Sequence, residues 1–177
     1  MGLIPGVLAM IRSYTVQLVA FAFGVLFTMS ASAQAGPCDA AEHKQFDFWL
    51  GDWNVHAADG KLAGTNRIER EYGGCVLHER YKTERNYSGE SLNTYDATRR
   101  VWHQTWVDSA GLLLVLEGGL RDGRMTLQGQ TRDSKGAVTK HRITWSPNPD
   151  GSVRQHWEST NAKGKWETAF DGKYTRR

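Results

Sequence analysis

The chain predicts an all-β fold, a closed antiparallel up-and-down barrel of about ten strands with a short N-terminal helix. Two observations carry this. From Phe48 onward almost every segment alternates with a period of two, and no helical spacer long enough for a parallel crossover interrupts the series. The segments are also punctuated by Asp59-Gly60, Gly73-Gly74, Asp122-Gly123, Lys135-Gly136, Asp150-Gly151, Lys163-Gly164 and Asp171-Gly172. Such dipeptides supply the positive φ angles that tight hairpin turns require.

In chain order, strands are predicted at 48–57, 64–72, 75–84, 89–96, 100–108, 112–119, 124–131, 138–146, 152–159 and 166–175. A flat sheet of that many strands would expose two edges, and closure removes them. A β-sandwich is the rival fold, but it needs longer Greek-key links than the roughly two to five residues available here. Ahead of the strands, Asp39 with Glu42 has the form of a capping box, and Ala40 to Phe46 can make about two helical turns.

Residues 1–35 have the composition of an export signal. Arg12 precedes an apolar run from Tyr14 to Met29, and Ala31-Ser32-Ala33 and Ala33-Gln34-Ala35 offer small residues at the cleavage positions. The signal itself is compact from Met10, an alternative start. The uninterrupted apolar stretch is shorter than the roughly 20 residues of a membrane-spanning helix, although an uncleaved anchor is the competing reading. Ala35-Gly36-Pro37-Cys38 is a poor lipoprotein site, because proline directly precedes the cysteine. Cleavage after Ala33 or Ala35 would leave a periplasmic or secreted domain over 36–177, about 140 residues and one average domain. Cys38 and Cys75 are the two cysteines of the chain. In an oxidising compartment they most simply pair; a reactive thiol is the alternative, and no Cys-His signature accompanies either residue.

Composition removes several function classes. With 22 Lys+Arg against 19 Asp+Glu, a net charge of +3 is too small and too evenly spread for a nucleic-acid surface. Two cysteines rule out a zinc ribbon or a disulfide-dense scaffold. No P-loop, dinucleotide fingerprint, Gly-x-Ser-x-Gly elbow or His-Glu-x-x-His occurs, so no cofactor or metal is expected. Asn86-Tyr87-Ser88 fits a glycosylation sequon, which matters only in a eukaryotic secretory pathway.

Alternation sorts the side chains into an outer and an inner face. Arg67, Glu69 and Glu71 point outward, leaving Asn66, Ile68, Arg70 and Tyr72 inside. Val76, His78, Arg80 and Lys82 point outward, leaving Cys75, Leu77, Glu79 and Tyr81 inside. A two-residue Gly73-Gly74 turn would pair Tyr72 with Cys75, Arg70 with Leu77 and Ile68 with Glu79, bringing Arg70 diagonally within reach of Glu79. The same test puts Trp102, Gln104 and Trp106 inside, with His141, Ile143, Trp145, Val153, Gln155 and Trp157. His103 and His156 face outward with His78.

The interior thus mixes tryptophans with polar groups that must find partners. One solution is a filled barrel around an Arg70–Glu79 ion pair. The other is a cavity for a small molecule, and a barrel of about ten strands is wide enough to leave one. The candidate ligand-binding set is Arg70, Glu79, Tyr81, Trp102, Gln104, Trp106, His141, Gln155 and Trp157. His141 is the one good inward histidine for a haem-type ligand, against the plainer reading of a hydrogen-bonded interior side chain.

The segment Glu42-His43-Lys44-Gln45-Phe46-Asp47-Phe48-Trp49-Leu50-Gly51-Asp52-Trp53 resembles the opening of a family of exported bacterial lipocalin-like proteins of unknown function. Tyr72-Gly73-Gly74-Cys75 with Glu79, Tyr95-Asp96, Trp102-His103-Gln104-Thr105-Trp106-Val107-Asp108, Asp150 to Gln155 and Phe170 to Tyr174 extend the resemblance over nearly the whole of 36–177. It implies a calycin-type barrel with an N-terminal helix across one end, and no established substrate or catalytic set. In lipocalins the tryptophan of Gly-x-Trp packs at the closed end beneath an arginine from the last strand. By this resemblance Trp53 is a structural plug and Arg176 its arginine.

The function expected is an exported barrel holding a small hydrophobic or aromatic molecule, with no nucleic-acid partner and no stable membrane insertion. Two alternatives stand beside it. One is an enzyme of isomerase, cyclase or lyase type with Glu79 as general acid/base, Gln104, Gln155 or Tyr81 polarising an oxygen. The other is a structural or partner-binding module with a filled interior.

Overall fold

The computed structural model describes residues 36–177, together with Gly2. The export signal read over 1–35 lies outside the described residues. Ten strands follow one another: β1 (Gly51–Ala57), β2 (Leu62–Glu71), β3 (Val76–Lys82), β4 (Ser88–Asp96) and β5 (Val101–Asp108). The second half comprises β6 (Leu113–Arg121), β7 (Arg124–Arg132), β8 (Val138–Pro147), β9 (Val153–Thr160) and β10 (Trp166–Arg176). Each pairs antiparallel with the next, and β10 returns to β1 with Trp53 opposite Arg176 and Val55 opposite Tyr174. The expected closed all-β barrel is the observed one.

The interior face is also the expected one over most strands. Asn66, Ile68, Leu77, Glu79, Trp102, Gln104, His141, Ile143, Trp145 and Val153 are all buried. Arg70 pairs with Leu77 and Ile68 with Glu79. Tyr72, expected inside, is instead 71% exposed. The β2–β3 connection is a 3-10 turn, Tyr72–Gly74, with Tyr72 itself at φ +51°, so strand alternation ends at Glu71 and Tyr72 swings into solvent.

The N-terminal segment differs in kind from the expected helix. It forms two 3-10 turns, Ala41–Lys44 and Asp47–Trp49, and the latter delays β1 to Gly51. No capping box forms: Ala40 is the N-cap, without a side-chain bond, and Asp39 accepts from the backbone of Gly36. What fixes this segment is burial of its aromatic residues. Phe46 stacks on Trp49 at 4.9 Å between ring centroids and meets Trp145 edge-on at 5.1 Å and Trp102 at 5.7 Å. Phe46, Trp49, Trp53, Trp102 and Trp145 together fill one end of the barrel.

Two further features lock this closed end. The Arg176 guanidinium lies 3.9 Å over the Trp53 ring and donates to the Leu50 carbonyl at 2.6 Å, as the lipocalin resemblance implied for these two residues. Gly51 makes room for it: its φ is +129°, and a Cβ there would sit 1.9 Å from Arg176 Nη1. Cys38 and Cys75 form a disulfide with Cα atoms 5.1 Å apart, tying the N-terminal segment to the start of β3. Closing the intervening loop is worth about 2–4 kcal/mol.

Candidate functional site

At the opposite, open half of the barrel lies a cavity of about 220 Å³. Its walls are aromatic (Tyr81, Tyr87, Trp106, Trp157 and Phe170), with Leu114, Ile143 and Ala169 between them. Four polar residues reach it: Glu79, Gln104, Gln155 and Tyr174.

The space stays open because the rings lie along the wall. A Cβ on Gly89 would fall 2.2 Å from the Trp106 ring, one on Gly172 would fall 2.5 Å from Phe170, and one on Gly64 would fall 2.8 Å from Tyr81. Trp106 and Tyr81 thus cover glycines of the adjacent strands β4 and β2, the arrangement by which aromatic residues cover sheet glycines, and Phe170 covers Gly172 of its own strand. A break in the β9–β10 register between Thr168 and Phe170 leaves Ala169 unpaired. The bulge re-aims the strand, so that Ala169 and Phe170, adjacent in sequence, both line the cavity.

The polar tips of the wall residues are bonded to other residues of the protein. Trp106 Nε1 and the Tyr87 hydroxyl both donate to Asp108 Oδ2, at 3.2 and 2.9 Å. The Tyr81 hydroxyl donates to the Ala63 carbonyl, and Trp157 Nε1 to His141 Nδ1 at 3.2 Å. An indole N–H can only donate, so His141 carries its proton on Nε2 and gives it to Thr131 Oγ1 at 2.9 Å. Burial lowers the His141 pKa, which favours this neutral tautomer.

Glu79 is the one carboxylate of the cavity, 3% exposed. Asn66 Nδ2 donates to its Oε1 and Ser91 Oγ to its Oε2, each at 2.6 Å. Behind Ser91 the network continues through Asn93 to the Gln104 amide at 2.7 Å, and Asn93 is anchored on the Leu77 carbonyl. On the other side Asn66 meets the Tyr174 hydroxyl at 3.4 Å, and Tyr174 donates to Gln155 Oε1. Burial pushes the Glu79 pKa up to about 7, and the bonds from Ser91 and Asn66 pull in the opposite direction without cancelling it. Tyr174 is raised well above its ordinary value, first by burial and then by Glu79, and stays neutral.

The expected Arg70–Glu79 ion pair does not form. Arg70 pairs with Asp47 of the N-terminal segment and donates to the carbonyls of His43 and Gly74, all at the closed end. The 3-10 segment supplies both Asp47 and the His43 carbonyl, and Arg70 is bound there instead. Of the nine residues expected around a ligand, Glu79, Tyr81, Gln104, Trp106, Gln155 and Trp157 line the cavity. Arg70 does not, and neither does Trp102, whose Nε1 donates to Gln45 Oε1 at 3.1 Å in the closed half. His141 stands behind Trp157, holding its ring.

Tyr174, Tyr87, Phe170 and Ser91 belong to the site or its polar support and escaped the sequence reading. Tyr174 shares a face with Gly172 and Arg176 and could have been placed from the closure of β10 on β1. Phe170 and Ala169 depend on a bulge that alternation alone does not reveal. No protein-family model matches the chain, and no curated protein matches its sequence. The closed ten-strand up-and-down barrel is compatible with a calycin-like fold.

Proposed function

We propose that this chain is an exported, lipocalin-like binding protein that holds one small hydrophobic or aromatic molecule in the open half of the barrel. The observation that carries the reading is the cavity itself: an aromatic wall whose own polar tips are bonded elsewhere, with a few convergent polar groups at one side. That is the usual make-up of a small-molecule site. A dry apolar cavity of about 150 Å³ accommodates a benzene, so the space here suits one ring with a short substituent or a fused ring pair. Export is supported by the Cys38–Cys75 disulfide, which persists in oxidising compartments, and by the signal-like composition of residues 1–35. Native mass spectrometry of the purified protein tests the proposal. A stoichiometric co-purified compound, lost when Trp157→Ala opens the wall, is the expected result. Unchanged retention in Trp157→Ala would place the compound elsewhere.

One observation favours a second reading, catalysis in the same cavity. Among the described residues Glu79 has no cationic partner, and its pKa is pushed up to about 7, so both its protonated and ionised forms are populated at neutral pH. Such a carboxyl can move a proton on a substrate that isomerises, cyclises or loses water, with Gln104 or Gln155 polarising an oxygen. Full turnover by Glu79→Gln on an identified compound would remove this role.

A further inference from the structure

The charge inventory of the cavity says more about its occupant than its shape does. Among the described residues that line it there is one carboxylic acid and no lysine, arginine or histidine. Each Glu79 oxygen accepts a single hydrogen bond, from Asn66 or Ser91. An ionised carboxylate offers roughly four lone-pair positions, so about two stay open. Basic groups of β2 and β3 that flank it are engaged elsewhere: Arg70 with Asp47, His78 with Glu71 and Glu90, and Arg80 with Glu69 and Glu71 on the outer face of β3.

The rest of the lining has the same polarity. With their N–H and O–H groups bonded to other residues, Trp106, Trp157, Tyr81 and Tyr87 offer the cavity aromatic carbon surface and no hydrogen-bond donor. Gln104 spends its amide N–H groups on Asn93 and Ser91, leaving its oxygen as a further acceptor. Among the described residues that line the cavity, the Gln155 amide nitrogen is the donor left without a partner. A single neutral donor cannot offset a like charge in a space this size.

Resting on the reading of this cavity as a ligand site, we propose that its occupant is a small aromatic amine bound as the ammonium ion, with Glu79 as counter-charge and an aromatic wall around it. Carboxylates of the same size are excluded. The ammonium group would sit against the open lone pairs of Glu79 and the Gln104 oxygen, and the ring between Trp106, Trp157 and Phe170. No covalent step is involved.

Three matched probes separate the possibilities by calorimetry at pH 8 on the purified full chain: 2-phenylethylamine, 2-phenylethanol and phenylacetate. The amine is expected to bind at least about tenfold tighter than phenylacetate, equivalent to about 1.4 kcal/mol, with the neutral alcohol between them. In Glu79→Gln the amine should fall to the level of the alcohol. If the alcohol binds and the amine shows no advantage over phenylacetate, the amine assignment is overturned while the cavity still stands as a binding site. If none of the three binds at millimolar concentration, the cavity reading fails and the assignment with it.

A second measurement needs no variant. The groups facing Glu79 are Asn66 from β2, Ser91 from β4, Gln104 from β5, Gln155 from β9 and Tyr174 from β10, with Tyr81 on its own strand. The tyrosines among them are raised above their ordinary range, by burial first, and stay neutral. His78 points outward to Glu71 and Glu90. Glu79 is therefore the group in the cavity that changes charge near pH 7. Amine affinity should fall as the pH is lowered through about 7, while the affinity of the alcohol holds. Coincident pH profiles for the two probes would overturn the proposal.

Discussion

In the closed half of the barrel the aromatic side chains pack against one another; in the open half most of them lie flat on the wall. The closed half joins Phe46, Trp49, Trp102 and Trp145 through ring contacts of 4.9–5.7 Å, and none of these rings is more than 1% exposed. In the open half Tyr81, Trp106 and Phe170 lie over glycines, their polar tips bonded to the rim or the backbone. Similar residue types thus give a solid plug at one end and a lined space at the other. The difference comes from the neighbours: the plug receives an extra layer from the N-terminal 3-10 turns, and the cavity receives none. A packed layer contributes stability through dispersion and burial, whereas a lined space gives up those contacts and gains a place for a ligand.

The comparison breaks if the two halves contribute equally to stability. Trp145→Ala removes a fully buried ring from the plug and should cost about 3–5 kcal/mol in urea unfolding. Trp157→Ala, half-buried beside the cavity, should cost only about 1–2 kcal/mol. Equal losses would mean that the open half is packed as tightly as the closed one.

Glu79 sharpens the contrast through pH. The folded state holds its proton more tightly than the unfolded chain does, with a pKa near 7 against an ordinary 4.5. Stability from this group is therefore complete below about pH 4.5, falls as pH rises to about 7, and is flat above. Full ionisation costs roughly 3 kcal/mol. Glu79→Gln keeps the shape without the charge. It should melt on the order of 5–10 °C above the wild type at pH 8 and match it at pH 4. A difference that is constant with pH would show that the carboxyl is ionised and satisfied throughout.

The closed barrel, the positions of all ten strands and the inward set were legible because alternation and Gly turns encode them locally. Ile68 opposite Glu79 and Arg70 opposite Leu77 followed from the Gly73-Gly74 turn, although that turn takes a 3-10 form that carries Tyr72 out of the strand. The Arg70 partner was not legible, since it depends on where the 3-10 segment sets Asp47, a tertiary outcome without a local signal. The Asp39–Glu42 pattern misled for a related reason: burial of Phe46 and Trp49 at 3-10 spacing overrode a capping signal worth about 1 kcal/mol. Six of the nine candidate site residues came together because the interior face was read correctly. Which end of the barrel each one occupies was not legible, because period two gives the face of a side chain and not its neighbours along the axis.

Arg176 tests the lock on the closed end at a smaller scale. Arg176→Ala removes the cation over Trp53 and the bond to the Leu50 carbonyl, and should cost about 1–2 kcal/mol without changing probe binding. Lysine should recover little of this, because its point charge lacks the flat guanidinium that stacks on the indole. A loss of affinity for 2-phenylethanol in Arg176→Ala would show that the two ends are coupled.

Gly89→Ala acts at the other end of the barrel, on the wall of the cavity. The added methyl would sit 2.2 Å from the Trp106 ring and 2.8 Å from the Val107 carbonyl. The backbone is held by pairing to β5, so the ring must yield. Its nitrogen is tethered to Asp108, which leaves rotation off the wall and into the empty space as the available response. Displacing the ring relieves the first contact but not the second, because the Val107 carbonyl belongs to the paired backbone, so the penalty should lie at about 2–3 kcal/mol. Affinity for 2-phenylethanol should fall by roughly tenfold or more as the ring takes up ligand volume. The same substitution in a solid core would cost stability with no binding to lose. A large drop in melting temperature with unchanged affinity would therefore mean that Trp106 belongs to the packing of the barrel and not to the wall of a site.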